Sequence, residues 1–161
     1  MGTSIYWYAE KKNAQGQWEF ACADCYPTRD IEDESFTIDC NYRLFSWLGG
    51  ERDYFNISPI AAERAVPEDA LYNKDHFFEF SIGSNSLSWV AVSELVNFNY
   101  DATYKEILLN GKNDLLLGQD GVYTPPIPII RSYREAFGAE WFIFLDRLIA
   151  TGASRMIFGF D

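Results

Sequence analysis

The run IIRSYREAFGAEWFIFLDRLIA, Ile129 to Ala150, carries the strongest periodic signal in the chain. Within it Tyr133, Phe137, Trp141, Phe144, Leu145 and Leu148 recur at steps of four, four, three, one and three residues, which is how one face of a helix turned to a core repeats. A long C-terminal helix is predicted. Gly138 interrupts it, costing about 1 kcal/mol relative to alanine or marking a close packing point. Beyond the helix, Arg155 to Asp161 (RMIFGFD) reads as a strand. Its partners are expected at the other end of the chain, where Ser4 to Glu10 (SIYWYAE) and Gln17 to Ala23 (QWEFACA) are aromatic and β-branched and NAQG supplies the turn of a hairpin.

Between these ends the signals are shorter. In Asn41 to Leu48 (NYRLFSWL), Tyr42, Phe45 and Leu48 share a helical face, Asp39 stands where an N-cap belongs and Gly49-Gly50 is a C-terminal stop. Pro59 and Pro67 break residues 57 to 72 into an ordered excursion. His76 to Ile82 reads as a strand followed by a GSNS turn, Ser93 to Phe98 as a helix capped by Ser93, and Asp101 to Asn110 as a second helix stopped at Gly111. Residues 111 to 128, ending in Pro125-Pro126-Ile127-Pro128, read as a loop. The expected fold is therefore α+β: a single domain over residues 1 to 161, with a mainly antiparallel sheet made of the N-terminal hairpin and the C-terminal strand, packed with several helices. A length of 161 residues with 13 Phe, 10 Tyr and 5 Trp gives such a domain ample apolar surface to bury.

Composition narrows function by exclusion. A net charge of −11 repels phosphate backbones and anionic lipid, so neither direct nucleic-acid binding nor membrane binding is expected, and a basic protein is the favoured partner. MGTSIYWYAEKK lacks a basic stretch ahead of an apolar one, and an odd count of three cysteines argues against a disulfide framework, so a reducing, cytoplasmic setting is expected. Cys22, Cys25, Cys40 and the lone His76 form a weak Cys3His zinc set, because the third and fourth ligands stand alone instead of in a second short-spaced pair. A Ser-His-Asp triad would rest on His76 alone, no pair of carboxylates stands out for acid-base work, and no phosphate-cradling glycine loop occurs. No catalytic residue and no cofactor is assigned. The acidic run of Asp30, Glu32, Asp33 and Glu34 is either a solvated loop or a partner-binding element offering carboxylates to an arginine- and lysine-lined groove. Tyr26, Tyr42, Trp47 and Tyr54 lie near it in sequence as aromatic anchors or as core.

Several segments resemble a family of poorly characterised bacteriophage and prophage proteins whose members begin Met-Gly-Cys-Asp-Ile-His. They are MGTSIYWYAE at the start, NYRLFSWLGGERDYF, PIAAERAVPEDA, NSLSWVAVSEL, and the closing RMIFGFD with its Phe-x-Phe-Asp ending, and their order and spacing are kept from residue 1 to residue 161. The chain departs from that pattern at Ser4 and Tyr6, where the family has Asp and His, and at Asn85, where it has a His before Ser-x-Ser-Trp. Asp and His bind metals and move protons. The resemblance thus implies a viral accessory protein that has lost any polar site built from those residues. Taken with the charge, it leads to an anti-defence inhibitor that mimics nucleic acid in a host protein's basic groove. The alternatives are a binder of a signalling nucleotide, stacking it on strand aromatics such as Tyr6, Trp7, Tyr8 and Trp89, and a metal-dependent hydrolase with an unusual site.

Overall fold

A computed structural model describes residues 2–23, 38, 40–71, 85–107, 116–117, 119–124 and 127–161. In chain order its elements are β1 (Ile5–Lys12), β2 (Trp18–Ala23), α1 (Tyr42–Gly49), β3 (Asn85–Ala91), α2 (Val92–Asn97), β4 (Thr103–Glu106), β5 (Leu116–Leu117), β6 (Tyr123–Thr124), β7 (Ile129–Ser132), α3 (Tyr133–Ala150) and β8 (Arg155–Phe160). β8 lies inside an antiparallel sheet of order β2-β1-β8-β3. Every residue of β8 is buried because both sheet faces are covered. Alternation sends Ile5, Trp7 and Ala9 of β1, with Met156, Phe158 and Phe160 of β8, toward the helices, while Tyr8 and Ile157 face a smaller cluster with Tyr6, Val66, Leu87 and Trp89. The hairpin, the terminal strand and their shared sheet are as the sequence predicts, and the chain is α+β with an antiparallel sheet.

α1 forms for local reasons that differ slightly from expectation. Asn41, not Asp39, is its N-cap, with Oδ1 accepting from the backbone N–H groups of Arg43 and Leu44. The two glycines at its end have separate uses. Gly50 takes the left-handed conformation (φ 73°) that closes the helix. At Gly49 a Cβ would lie 2.6 Å from Cε2 of Phe160, so the helix comes this close to the sheet only with glycine there.

Three predicted elements are corrected. Thr103–Glu106 is a strand, not part of a helix over 101 to 110, and it pairs with β7 in a two-stranded ribbon. Ile129–Ser132 belongs to that ribbon, so α3 starts at Tyr133 under a Ser132 cap. α2 is capped at Ala91 and leaves Ser93 exposed inside the helix, with the Glu94 carboxylate accepting from the Ala91 N–H. Within the expected 111–128 loop, β5 and β6 form a second small ribbon. The predicted strand at His76 to Ile82 lies outside the described residues, and the excursion after α1 is irregular through residue 71, as its prolines require.

Gly138 is where α3 breaks. Its φ of 74° and ψ of 175° lie in a region that is nearly closed to other residues, and the helix is two segments meeting at that point. The carbonyls of Ala136 and Phe137, lying just before the break, instead accept from Asn41 Nδ2 at 3.2 and 3.3 Å. Gly138→Ala is therefore expected to lower stability by about 1 to 3 kcal/mol, where a continuous helix would gain; urea denaturation of the two proteins distinguishes these signs.

Among the described residues no helix is long and apolar enough to cross a membrane.

Candidate functional site

Among the described residues arginine and carboxylate side chains from distant segments meet in four places; one, Arg134 on Asp101 at 2.7 Å, is exposed, and the other three are at least partly buried. On the outer face of the sheet Glu10 is fully buried; its Oε2 accepts from Arg155 Nε at 2.7 Å and its Oε1 from the Leu71 N–H at 2.6 Å. Arg155 Nη1 continues to Asp69 at 3.0 Å, and its guanidinium lies 3.7 Å from the Trp18 ring centroid. A second lock joins the excursion to α2, with Arg64 bidentate on Glu94 at 2.6 and 2.7 Å and stacked over Trp89 at 4.8 Å. The third fixes α1 to the β4–β7 ribbon. Glu106 takes Arg43 in a bidentate pair at 2.9 Å, Arg131 at 3.1 Å, and the Tyr104 hydroxyl.

Arg43 holds the Glu106 carboxyl down to about 2 against the opposing effect of burial, with Tyr104 and Arg131 adding to the shift. Burial, reinforced by the Glu106 carboxylate, pushes the Tyr104 phenol up. Because the folded value of Glu106 is depressed, its stabilisation is complete above the ordinary carboxylate value of 4.5 and fades as pH falls from there through about 2. Glu106→Gln is expected to lose on the order of 2 to 3 kcal/mol at pH 7, with the deficit shrinking below pH about 4.5. Urea melts of both proteins at a series of pH values measure it; a deficit independent of pH would contradict the assignment.

Ser4, Tyr6 and Asn85 lie at one end of the sheet. The Ser4 N–H and the Tyr6 hydroxyl donate to the two carboxylate oxygens of Asp161, at 2.7 and 3.1 Å, and Asn85 pairs with Phe160 across the other edge of β8. Asp161 thus accepts from a backbone amide and a phenol. Among the described residues no group of three His, Cys, Asp or Glu side chains is placed to hold a metal ion.

Of the four candidate zinc ligands Cys22 and Cys40 are described, and they lie apart. Cys40, exposed, lies 3.6 Å from the Thr3 carbonyl, whereas Cys22 pairs with Ala9 in the sheet. Thr3 and Ala9 are separated by about 20 Å of extended chain, so the two thiols lie too far apart to share one ion. Burial also raises the Cys22 thiol to about 11, opposing the thiolate that metals and redox chemistry use. Cys25, His76, Tyr26 and the acidic residues Asp30, Glu32, Asp33 and Glu34 lie outside the described residues. Of the strand aromatics, Trp7 and Tyr8 are fully buried and unavailable for stacking, a correction to that expectation, while Tyr6 and Trp89 are half-buried. Trp47 is core, Tyr42 is half-buried and Tyr54 is exposed at the surface.

A pocket of about 320 Å³ opens between the first turn of α1 and the break in α3, lined by Tyr42, Arg43, Phe55, Glu140, Trp141 and Phe144 among others. Its walls come from residues 38–44, Phe55 and residues 137–144, and of these the sequence reading names Tyr42 as an anchor and Cys40 as a zinc ligand. The aromatic side chains themselves were the available signal, but their spacing explains a core equally well. No family model, no curated protein and no solved structure matches the chain.

Proposed function

We infer that this protein acts by binding: it is an acidic accessory factor of phage type that occupies the basic, nucleic-acid-holding groove of a host defence protein. One observation carries the reading. Arg43, Arg64, Arg131, Arg134 and Arg155 all close on the protein's own carboxylates. Meanwhile Glu63, Glu68, Asp120, Glu135, Glu140 and Asp146 are exposed and close on no cation among the described residues. Arginines paired with the protein's own carboxylates do not compensate these exposed acids, which leaves them to attract a cationic partner.

The test is retention of host proteins on the immobilised chain at low salt, followed by elution with salt or with competing DNA and RNA. Basic nucleic-acid-binding proteins should be retained, leave as ionic strength rises, and be displaced by nucleic acid. A variant with Glu135, Glu140 and Asp146 changed to lysine, and another with Asp30, Glu32, Asp33 and Glu34 changed to their amides, should each retain less. Retention that ignores both salt and nucleic acid would count against the proposal.

A further inference from the structure

We propose that residues 61–71 form a strap that opens and closes as one unit over the outer face of the sheet while the sheet and its helices stay folded. This does not depend on the capture of a basic partner. None of residues 61–71 is buried, yet beneath them Tyr8, Glu10 and Ile157 have no exposure at all. Val66 is the strap residue that joins the apolar cluster of Tyr8 and Ile157. A cover that buries so little of its own surface gains little from apolar burial and is held by what reaches it from below.

What reaches it is side chains. The Arg64 N–H donates to Ser88 Oγ at 2.9 Å and the Leu71 N–H to Glu10 Oε1 at 2.6 Å. Asp69 accepts from Arg155 Nη1 and Trp18 Nε1, and Arg64 clamps Glu94. Among the described residues no backbone-to-backbone hydrogen bond joins 61–71 to the sheet; the one in this stretch, from the Ala70 N–H to the Pro67 carbonyl, stays within it. Just before the strap, the Ile60 N–H donates to the Trp47 carbonyl at 2.7 Å and fixes its root. Releasing residues 61–71 therefore breaks no rung of the β2-β1-β8-β3 ladder.

The layer beneath lowers the cost of opening. Arg155 Nη2 is buried with no acceptor among the described residues, and the Glu10 carboxylate, which can accept about four hydrogen bonds, receives two there. Opening admits water to both groups and so offsets part of the lost contacts. It also uncovers Tyr8, Ile157 and the Trp89 face on which Arg64 stacks, an apolar surface that the closed strap hides.

Amide hydrogen exchange, read residue by residue by NMR, tests the proposal, because the Arg64 and Leu71 amides report on the two ends of the strap. They should share one opening equilibrium, populated at least about tenfold more than the one that exposes the slowest β8 amides, and with a weaker urea dependence because less surface is uncovered. Arg64→Met, which removes the clamp on Glu94, should raise the opening at residue 64 and at Leu71 together by about tenfold. Leu148→Val, in the core on the helix side of the sheet, should speed exchange in β8 about fivefold or more and leave both strap amides unchanged, because it weakens the closed and strap-open forms equally. Strap amides that match β8 in free energy and urea dependence, or that speed up with β8 in Leu148→Val, would mean that the strap opens only when the whole protein unfolds, which overturns the proposal. A response to Arg64→Met that does not reach Leu71 would show separate contacts instead of one unit, and unprotected amides at both positions would show no closed state; each also defeats it.

Discussion

Arg155→Met is expected to destabilise the protein by about 3 to 5 kcal/mol, because it removes the cation from a carboxylate that has no access to water. Among the described residues Glu10 would keep only the Leu71 N–H as a partner, and a buried carboxylate with one hydrogen bond is far from satisfied. The loss would spread, since Arg155 also holds Asp69 and stacks on Trp18, whose indole N–H donates to the same Asp69 at 2.7 Å. Glu10→Leu alone should be comparably damaging, leaving a buried guanidinium whose Nη2 already lacks an acceptor among the described residues. The double variant should recover a large part of either loss, because the pair's mutual dependence exceeds its net worth. Urea denaturation of the four proteins gives the coupling; additive single effects of under about 1 kcal/mol would show that the pair is not the lock described.

Trp47→Ala should cost a similar amount, about 3 to 5 kcal/mol, by opening a cavity in the core. Trp47 is wholly buried, and its ring meets Phe98 and Phe137 at 4.8 Å, Tyr100 at 5.8 Å and Trp141 at 5.9 Å, joining α1, α3 and the segment after α2. Trp47→Phe should be much milder, because it keeps an aromatic ring at the centre of this group and removes an indole N–H that is buried without an acceptor among the described residues. Thermal or urea unfolding orders the three proteins; equal losses for alanine and phenylalanine would mean that the indole makes a contact the ring cannot replace.

The sequence revealed those elements whose burial obeys a local rule. β1 and β8 are rich in aromatic and β-branched residues, Tyr42, Phe45 and Leu48 repeat on one helical face, and the glycines after α1 end it. β4 did not reveal itself because its inward positions are Tyr104 and Glu106, and a glutamate at a buried position hides the alternation. Glu106 can be buried only because Arg43 and Arg131 arrive from residues far away on either side, which no local window can register. Its neighbour Ile107 then completes an apparently helical spacing with Tyr104 that the ribbon overrides. The same limit applies to the candidate sites. The Glu10–Arg155 pair spans nearly the whole chain, and the pocket depends on a break at Gly138 that reads in sequence as an imperfection in a helix.

The position of β8 between β1 and β3 has a consequence for biosynthesis. Arg155 follows Glu10 by 145 residues, and at about 5 to 20 residues per second the ribosome takes roughly 7 to 30 s to make that interval. Throughout it the N-terminal hairpin can exist, but with one edge of β1 open and its apolar ring surfaces uncovered. Nascent chains are therefore most exposed to sticking to one another just before completion of the sheet, and a holding chaperone would find its target in β1, not in the strand that arrives last.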